Sequence, residues 1–365
     1  MHILHVVGAR PNLMKAAPVL AALQRCNSTR QTLVHTGQHY DFNMSDVFFQ
    51  QLGMPSPDIN LAVGSGTHAR QTAEIMCRLE TVLLERKPDL VVVYGDVNST
   101  VAAALVCAKL LIPMAHVEAG LRSFDRTMPE EINRLLTDQV AEILLTPSTD
   151  GDDNLLREGV LAEKIHFVGN VMIDTLVRLL PEADQHRLDR LPERYALITL
   201  HRPSNVDDST LLNQIVDSIL EVCQDLDVIF PVHPRTRKQL KRGDHVQRLR
   251  LLDPVPYLEF LALQRDATVV ITDSGGIQEE TTYLGVPCLT VRENTERPVT
   301  VTLGTNTLVG RSPDRLRTEL DLIIHGRGKR GQIPQLWDGH AGRRIAEVLL
   351  QTPDRQSQHE VTAAA

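Results

Sequence analysis

The sequence lacks paired cysteines, an excess of positive charge and any apolar run long enough to cross a membrane. Five cysteines are scattered through 365 residues with no CxxC pair, which argues against a disulfide scaffold or a zinc ribbon. A formal net charge of −8 argues against a general nucleic-acid binder, because such proteins hold phosphates with clustered Lys and Arg. The first residues, MHILHVVGARP, predict a strand followed by a turn and not a signal peptide. We therefore expect a cytoplasmic protein with no membrane or nucleic-acid partner.

The remaining composition is that of a globular protein, with 42% apolar and 23% charged residues. Short apolar runs alternate with amphipathic segments, which predicts strands at residues 3–7, 32–35, 90–94, 113–117, 143–145 and 165–168 and helices at 13–23, 70–84, 101–111 and 130–140. The strand pattern restarts at 196–200, 228–232, 269–272 and 288–291. The sequence therefore predicts an α/β fold with two Rossmann-like doubly wound parallel sheets.

The predicted domain boundaries follow the restart of this pattern. The first domain covers residues 1–169, and the second covers 170–351, with its last helix packing back on the first domain. Residues 352–365, which end in DRQSQHEVTAAA, have little to bury and are predicted to form a tail.

Polar segments follow the predicted strands in both halves: VVGARPNLMK, HTGQHYD, VVYGDVNST, AHVEAGLRS, LHRPSN, PVHPRT and TDSGG. Ligands of open α/β sheets bind outside the carboxyl ends of the strands, so these loops predict a cleft between two domains. They bring cations or potential cations toward that cleft (Arg10, Lys15, Arg122, His201, Arg202, His233, Arg235, Arg297) and carboxylates (Asp96, Glu118, Glu130, Glu131). Cations beside helix-start glycines suit a diphosphate, and paired carboxylates suit proton transfer.

The segment TVVITDSGGIQEE predicts a strand, a tight turn and a helix. The free amides of a first helical turn can bind an anion, and glycine lets a phosphate come close. In the structural alternative, Ser274 only caps the helix and Gly275 and Gly276 only permit the turn.

Several carboxylates have an ordinary structural interpretation. Asp96 follows a glycine and suits a helix N-cap, and Glu130 and Glu131 lie in a predicted first helical turn, where acids are favoured. Glu118 ends a strand beside His and Gly, where a purely structural carboxylate has little reason to be, so we favour function there. Arg297 lies in a loop of mixed charge that is more typical of a solvated surface.

Histidines give weaker signals. His201 and His233 each close a strand beside an arginine, and phosphate contact and core packing are equally good interpretations. His35 and His39 have the four-residue spacing of helical metal ligands, but Gly37 between them argues against a helix. We therefore expect no metal.

Six segments, in this order, resemble the non-hydrolysing UDP-N-acetylglucosamine 2-epimerases: GARPNLMKAAPV, HVEAGLRS, PEEINR, GNVMIDT, DSGGIQEE and TERP. The resemblance runs from about residue 2 to residue 350. It implies a fold of the glycosyltransferase B and glycogen phosphorylase type, a homodimer with its site in the cleft, and a UDP-sugar substrate. It also implies reversible epimerisation at carbon 2 by elimination of UDP and re-addition through 2-acetamidoglucal, without a cofactor.

The resemblance also implies roles for individual residues. The acid/base carboxylates of the family match Asp96, Glu118 and Glu130, and the residues that hold the active site and the departing phosphate match Lys15 and His201. The substrate-binding set adds the diphosphate contacts Arg10, Ser274, Gly275 and Gly276, the ribose contact Glu280, the uracil-packing Phe260, the neighbouring Arg202 and the nucleotide contact Arg297.

Three segments depart from the family pattern. GARPN stands where GTRPE is common, so Asn12 replaces an acid near Lys15, and HRPSN replaces HRRE beside His201. QHYDFNM departs from the loop associated with activation by a second UDP-N-acetylglucosamine, which predicts weak activation because Asp41 would repel a diphosphate.

Other functions remain open at this stage. The close alternatives are a 2-epimerase of UDP-diacetamido-glucuronic acid and a hydrolysing 2-epimerase. A retaining glycosyltransferase would leave the carboxylates of the first half without a purpose, and so would a UDP-sugar binding module. A metal-dependent phosphoesterase could use His39, Asp96, His116 and Glu118.

Overall fold

Thirteen short strands occur in the described part of the chain. The computed structural model describes residues 1–26, 28–38, 49–240 and 248–351. The strands are β1 (His2–Val7), β2 (Arg30–His35), β3 (Ile59–Asn60), β4 (Leu90–Tyr94), β5 (Met114–Val117), β6 (Ile143–Thr146), β7 (Ile165–Phe167), β8 (Tyr195–Thr199), β9 (Asp227–Pro231), β10 (Leu249–Leu252), β11 (Val269–Thr272), β12 (Cys288–Thr290) and β13 (Asn306–Leu308).

Helices separate most of these strands. They are α1 (Arg10–Gln24), α2 (His68–Arg86), α3 (Asn98–Leu110), α4 (Pro129–Val140), α5 (Thr149–Arg157), α6 (Val171–Ala183), α7 (Pro203–Val206), α8 (Ser209–Val222), α9 (Pro234–Arg237), α10 (Tyr257–Asp266), α11 (Gly275–Leu284), α12 (Pro298–Thr302), α13 (Pro313–Ile324) and α14 (Ala341–Gln351). Short 3₁₀ turns lie at Ala162–Lys164 and Asp184–His186.

The strands form two sheets whose described pairings are all parallel. Their orders are β3-β2-β1-β4-β5-β6-β7 and β10-β9-β8-β11-β12-β13. Each order reverses direction once, at β1/β4 in the first sheet and at β8/β11 in the second. The prediction of two doubly wound parallel sheets is therefore confirmed.

The chain divides into two compact units. Unit 1 comprises Met1–Thr175 and the chain from Gln335 onward, and unit 2 comprises Leu176–Pro334. The predicted boundary after residue 169 lies a few residues before this division.

Burial of both sheet faces explains the apolar strand sequences. Every residue of β4 is buried, and such continuous apolar runs are typical of parallel strands covered by helices on both sides. In unit 1, Val91 and Val93 share a core with Leu79 of α2 and Cys107 of α3. Unit 2 builds a separate core in the same way.

The last helix belongs to unit 1. Both carboxylate oxygens of Asp174 accept the first two amides of α14, at 3.0 and 2.6 Å. The buried Trp337 donates its indole N–H to the carbonyl of Pro147 at 2.9 Å. A Cβ atom on Gly342 would lie 2.9 Å from the backbone of Pro18 in α1, so only glycine permits this approach.

Three strands were absent from the sequence-based prediction: β3, β10 and β13. Their sequences, IN, LRLL and NTL, contain no continuous apolar run, which is the pattern that identified the other strands. The predicted tail, His39 and the predicted effector loop with Asp41 lie outside the described residues.

Candidate active site

The candidate residues of unit 1 follow β1, β4 and β5, at and beside the point where the strand order reverses. Asn12 joins the first two of these strand ends. Its buried Oδ1 accepts the amides of Gly8 and Ala9 at 3.1 and 3.0 Å, and its Nδ2 donates to the carbonyl of Tyr94 at 2.7 Å. An ionised glutamate could not donate to that carbonyl, so the amide suits this chain better than the acid common at this position.

Lys15 and Glu118 form a buried ion pair. The distance from Lys15 Nζ to Glu118 Oε1 is 2.7 Å, and their side chains are 6% and 3% exposed. Glu118 directly follows β5 and has a φ of 75°, a left-handed conformation that is uncommon for a residue other than glycine. Such strained positions are concentrated at functional sites, which supports the functional interpretation of Glu118.

Asp96 does not cap a helix. Helix α3 begins at Asn98, and the residue in its N-cap position is Val97. The carboxylate of Asp96 instead pairs with the buried guanidinium of Arg134, and the side chain remains 22% exposed. The N-cap interpretation is therefore wrong, and the carboxylate is fixed by a cation and still reachable from solvent.

The adjacent acids of α4 have different environments. Glu131 is buried, and its oxygens accept the amides of Ser123 and Phe124 and the guanidinium of Arg134. Burial alone would raise its pKa, but these hydrogen bonds outweigh burial and lower the pKa of Glu131. Glu130 is exposed in the first turn. Glu131 is therefore structural, whereas Glu130 can meet a ligand.

Arg122 is not available to a ligand. Its buried guanidinium binds both carboxylate oxygens of Glu158 at 2.7 Å and one oxygen of Asp138 at 2.7 Å. The expectation that Arg122 brings a cation toward the site is wrong, because these two carboxylates already neutralise it. Arg10 lies in the first turn of α1 and is exposed.

In unit 2 the candidate residues follow β8 and β11, the two strands at which that sheet reverses. Asp273 is fully buried and connects the two strand ends. It accepts the backbone amides of His201 and Arg202 and the side-chain amide of Asn205, at distances of 2.9–3.2 Å. Burial acts to raise its pKa, but the hydrogen bonds, first among them that of His201, lower the pKa of Asp273.

Asp273 also orients the ring of His201. The distance from His201 Nδ1 to Asp273 Oδ1 is 2.9 Å, and the histidine side chain is 62% exposed. The core-packing interpretation of His201 is therefore wrong, because its Nδ1 is held while the rest of the ring faces solvent. Arg202 is half-buried and donates its Nε–H to the carbonyl of Asp273 at 3.0 Å.

The DSGG turn leads into α11. Ser274 occupies the N-cap position, but its side chain makes no capping hydrogen bond. A Cβ atom on Gly275 would lie 2.6 Å from Arg297 Nη1 and 2.6 Å from Glu296 Oε1, so a larger residue here would displace these two charged side chains. Gly276, in the first turn, is half-buried.

Arg297 is not on a solvated surface, as its loop sequence suggested. It is 7% exposed, and its guanidinium lies between Glu279 at 2.9 Å and Glu296 at 2.5 Å. The loop that contains Thr295 and Arg297 lies against the start of α11. There the hydroxyl of Thr295 donates a hydrogen bond to the side-chain oxygen of the buried Gln278 at 2.7 Å. This fold places a cation beside the helix N-terminus.

Glu280 and Phe260 lie farther along this part of unit 2. Glu280 is buried, and its Oε1 accepts the hydroxyl of Tyr257 at 2.8 Å. Burial raises the pKa of Glu280 to about 7. Phe260 is half-buried against a small core that includes Leu263 and Val270.

Sequence reasoning missed three positioning residues: Asp273, Arg134 and Asp138. Asp273 gave a local signal, since it directly follows a strand within the DSGG motif. Arg134 and Asp138 lie within helix α4 and gave none. Among the described residues, no group of three or more His, Cys, Asp or Glu side chains is arranged to hold a metal ion. Within the same residues, no helix is long and apolar enough to cross a membrane.

Comparison with known proteins relates most of the chain to one family. The model of the family described as UDP-N-acetylglucosamine 2-epimerase matches residues 21–350. The UDP-N-acetylglucosamine 2-epimerase of Methanocaldococcus jannaschii is 44% identical over 359 residues, which cover 94% of this chain and 97% of that protein.

Two further matches describe the range of this similarity. The UDP-2,3-diacetamido-2,3-dideoxy-D-glucuronate 2-epimerase of Pseudomonas aeruginosa is 43% identical over 357 residues, covering 96% of this chain and 99% of that protein. A crystal structure of the M. jannaschii enzyme in complex with UDP-GlcNAc and UDP superposes with a TM-score of 0.86 at 42% identity, covering 96% of this chain and 100% of that one.

The buried Glu280 predicts a pH dependence of stability. Because its pKa is raised from 4.5 to about 7, the neutral acid is favoured in the folded state. The contribution of this neutral acid to the free energy of unfolding is fully present below pH 4.5 and is lost as the pH rises through 7. Glu280→Gln should therefore gain stability relative to the unmodified protein as the pH rises, approaching roughly 3 kcal/mol.

Thermal unfolding midpoints between about pH 4.5 and pH 8 measure this difference. Glu259→Gln, which changes a half-buried glutamate of α10, is the matched control and should keep the pH dependence of the unmodified protein. A constant offset between Glu280→Gln and the unmodified protein across this range would contradict the assignment.

Proposed function

The chain belongs to the UDP-N-acetylglucosamine 2-epimerase family, and from this premise we propose that it interconverts UDP-N-acetylglucosamine and UDP-N-acetylmannosamine by eliminating UDP and adding it back. The protein is an isomerase. The observation that carries the mechanism is the pair of fixed carboxylates at the ends of two neighbouring strands: Asp96 after β4, held by Arg134, and Glu118 after β5, held by Lys15.

Inversion at carbon 2 requires a proton to leave one face of the sugar and return to the other. The carbon 2 hydrogen is weakly acidic, so elimination is the easier route. A carboxylate takes the proton from carbon 2. The electrons of the broken C2–H bond form the C1=C2 double bond, and the electrons of the C1–O bond leave with UDP. Re-addition reverses these steps with a proton supplied to the opposite face, so at least two acid/base groups are needed.

Glu118, Asp96 and Glu130 are the groups that we propose for these transfers. The side chain of Glu118 is held by Lys15 at 2.7 Å and that of Asp96 by Arg134, which keeps each in one orientation and reduces reorganisation during the reaction. Glu130 is exposed and can exchange its proton with water.

Unit 2 supplies the groups that we propose for UDP. The start of α11 offers the backbone amides of Gly275 and Gly276 to the diphosphate, and Ser274, whose own amide donates to Thr272, offers its hydroxyl. We assign Arg297, whose guanidinium lies beside Gly275, as a further nucleotide contact. His201, oriented by Asp273, can donate a hydrogen bond that stabilises the charge developing on the departing phosphate.

The nucleoside contacts are proposed from the same unit. We assign the ribose to Glu280 and the uracil ring to Phe260. Arg10, Lys15 and Arg202 complete the proposed substrate-binding set.

A second substrate is favoured by one specific observation. The P. aeruginosa diacetamido-glucuronate 2-epimerase is 43% identical to this chain, and the M. jannaschii enzyme is 44% identical. Overall sequence identity therefore does not decide which of the two sugar nucleotides is the substrate. UDP-2,3-diacetamido-2,3-dideoxy-D-glucuronate is the second candidate substrate.

We also propose that the protein is a homodimer. Ile132 and Leu136 lie one turn apart on α4 and are 38% and 45% exposed, and Phe124, whose amide is bonded to the same helix, is 75% exposed. Contiguous exposed apolar residues commonly mark a protein interface.

Isotope exchange tests the proposed reaction. With UDP-N-acetylglucosamine in heavy water, the recovered UDP-N-acetylmannosamine should carry deuterium at carbon 2, because the abstracted proton is replaced from solvent. NMR of the sugar products measures the label. Product without deuterium at carbon 2 would exclude elimination, and faster exchange of the diacetamido-glucuronate substrate would establish the second candidate.

Removing the Glu118 carboxylate tests its role. Glu118→Gln keeps the shape but cannot accept a proton, so turnover should fall by at least about 100-fold with UDP affinity nearly unchanged. Steady-state kinetics and calorimetry measure the two effects. Glu142→Gln, an exposed carboxylate of the same unit, is the control, and near-normal turnover of Glu118→Gln would make Glu118 structural.

Charge placed in the α4 surface tests the dimer. Leu136→Glu should convert the protein to a monomer in sedimentation, because a carboxylate would be buried in an apolar interface. Leu303→Glu, at a similarly exposed leucine of unit 2 (49%), should remain dimeric. A dimer that persists in Leu136→Glu refutes this interface.

A further inference from the structure

A buried histidine lies behind the proposed acid/base carboxylates of unit 1. His116 is on β5, two residues before Glu118, and is fully buried. Its Nε2 is 2.8 Å from the carbonyl oxygen of Gly95, and its Nδ1 is 2.6 Å from Asp138 Oδ1. The ring thus connects the strand that carries Glu118 to the turn that carries Asp96.

Both partners of His116 accept hydrogen bonds. The Gly95 oxygen is a carbonyl, and Asp138 is a carboxylate that also receives Arg122 at 2.7 Å and the amide of Gly120 at 3.1 Å. Burial acts to raise the pKa of Asp138, but His116 and Arg122 lower it. Both ring nitrogens are satisfied only when both carry a proton, since a buried acceptor without a donor is costly.

The turn at Gly95 lies against Lys15. Gly95 has a φ of 64°, and a Cβ atom there would lie 2.7 Å from Lys15 Nζ. The turn therefore passes directly against the lysine that binds Glu118. A shift of the Gly95 carbonyl would move Asp96 and disturb the Lys15–Glu118 pair together.

We propose that His116, held by Asp138, is a positioning residue that fixes the Gly95–Asp96 turn against β5 and thereby sets the two carboxylates for proton transfer. This inference rests on the proposed function. Asp138, itself bound by Arg122, holds the ring, and His116 is fully buried, so its proposed role is indirect.

Three variants test this geometry. His116→Gln leaves its amide oxygen facing an acceptor, and Asp138→Asn removes the carboxylate that holds the ring, so kcat should fall about 10- to 100-fold, with KM within about threefold and UDP affinity unchanged. In the double variant, the new asparagine amide can donate to the new glutamine oxygen, while the glutamine amide donates to the carbonyl of Gly95. The double variant should therefore recover at least about fivefold over either single variant, which a role based only on stability would not produce.

A matched control removes another buried imidazole from the same sheet. His5 is fully buried on β1 and bonds the Tyr94 hydroxyl at 2.7 Å. His5→Gln should lower the thermal midpoint but leave kcat near that of the unmodified protein. If His5→Gln loses as much kcat as His116→Gln, general destabilisation explains the loss and the inference fails.

A measurement on the unmodified protein does not depend on whether the variants fold. With nitrogen-labelled histidine, proton–nitrogen NMR at neutral pH should show two ring N–H protons for His116. A single N–H, unchanged kcat in His116→Gln or no recovery in the double variant would overturn the inference. Absence of carbon 2 exchange in the unmodified protein would instead refute the proposed function itself.

Discussion

Parallel pairing of β1 with β4 and of β8 with β11 is the constraint on which the candidate site depends. Parallel strands end at the same edge of a sheet, and helices leave in opposite directions where the order reverses, so a crevice opens there. Asn12 and Asp273 complete this arrangement in their respective units. Asn12 binds backbone groups at the ends of β1 and β4, and Asp273, at the end of β11, accepts backbone amides at the end of β8. The chemistry-bearing side chains lie on these short, fixed loops, and helices positioned by the sheets supply their partners.

Charge compensation is the second organising feature. Arg122, Arg134 and Arg297 are almost fully buried, and each is bound by two carboxylates. Removing one member of such a pair leaves an uncompensated charge, which is far more costly than the pair is stabilising. The same networks hold Asp96 and the start of α11 in single orientations. Stability and orientation of the site therefore depend on the same side chains.

The sequence predicted the parts of this structure that local patterns determine. Residues 90–94 and 269–272 were predicted as strands with the bounds that β4 and β11 have, because continuous β-branched runs identify buried parallel strands. The position of Glu118 at a strand end was also recognisable. Partners distant in sequence were not, since Asp96 lies 38 residues from Arg134 and His201 lies 72 from Asp273. Arg297 was misplaced on a solvated surface because its neutralising Glu279 is brought close only by the fold.

The buried indole of Trp337 has a practical consequence. It is the sole tryptophan of the chain, and it belongs to unit 1, where its N–H is bonded to the carbonyl of Pro147. Tryptophan fluorescence of the unmodified protein therefore comes entirely from one unit. Its emission reports the unfolding of unit 1 alone, whereas circular dichroism reports the unfolding of both units. Comparing the two signals during denaturation separates the cooperativity of the two units without any added label.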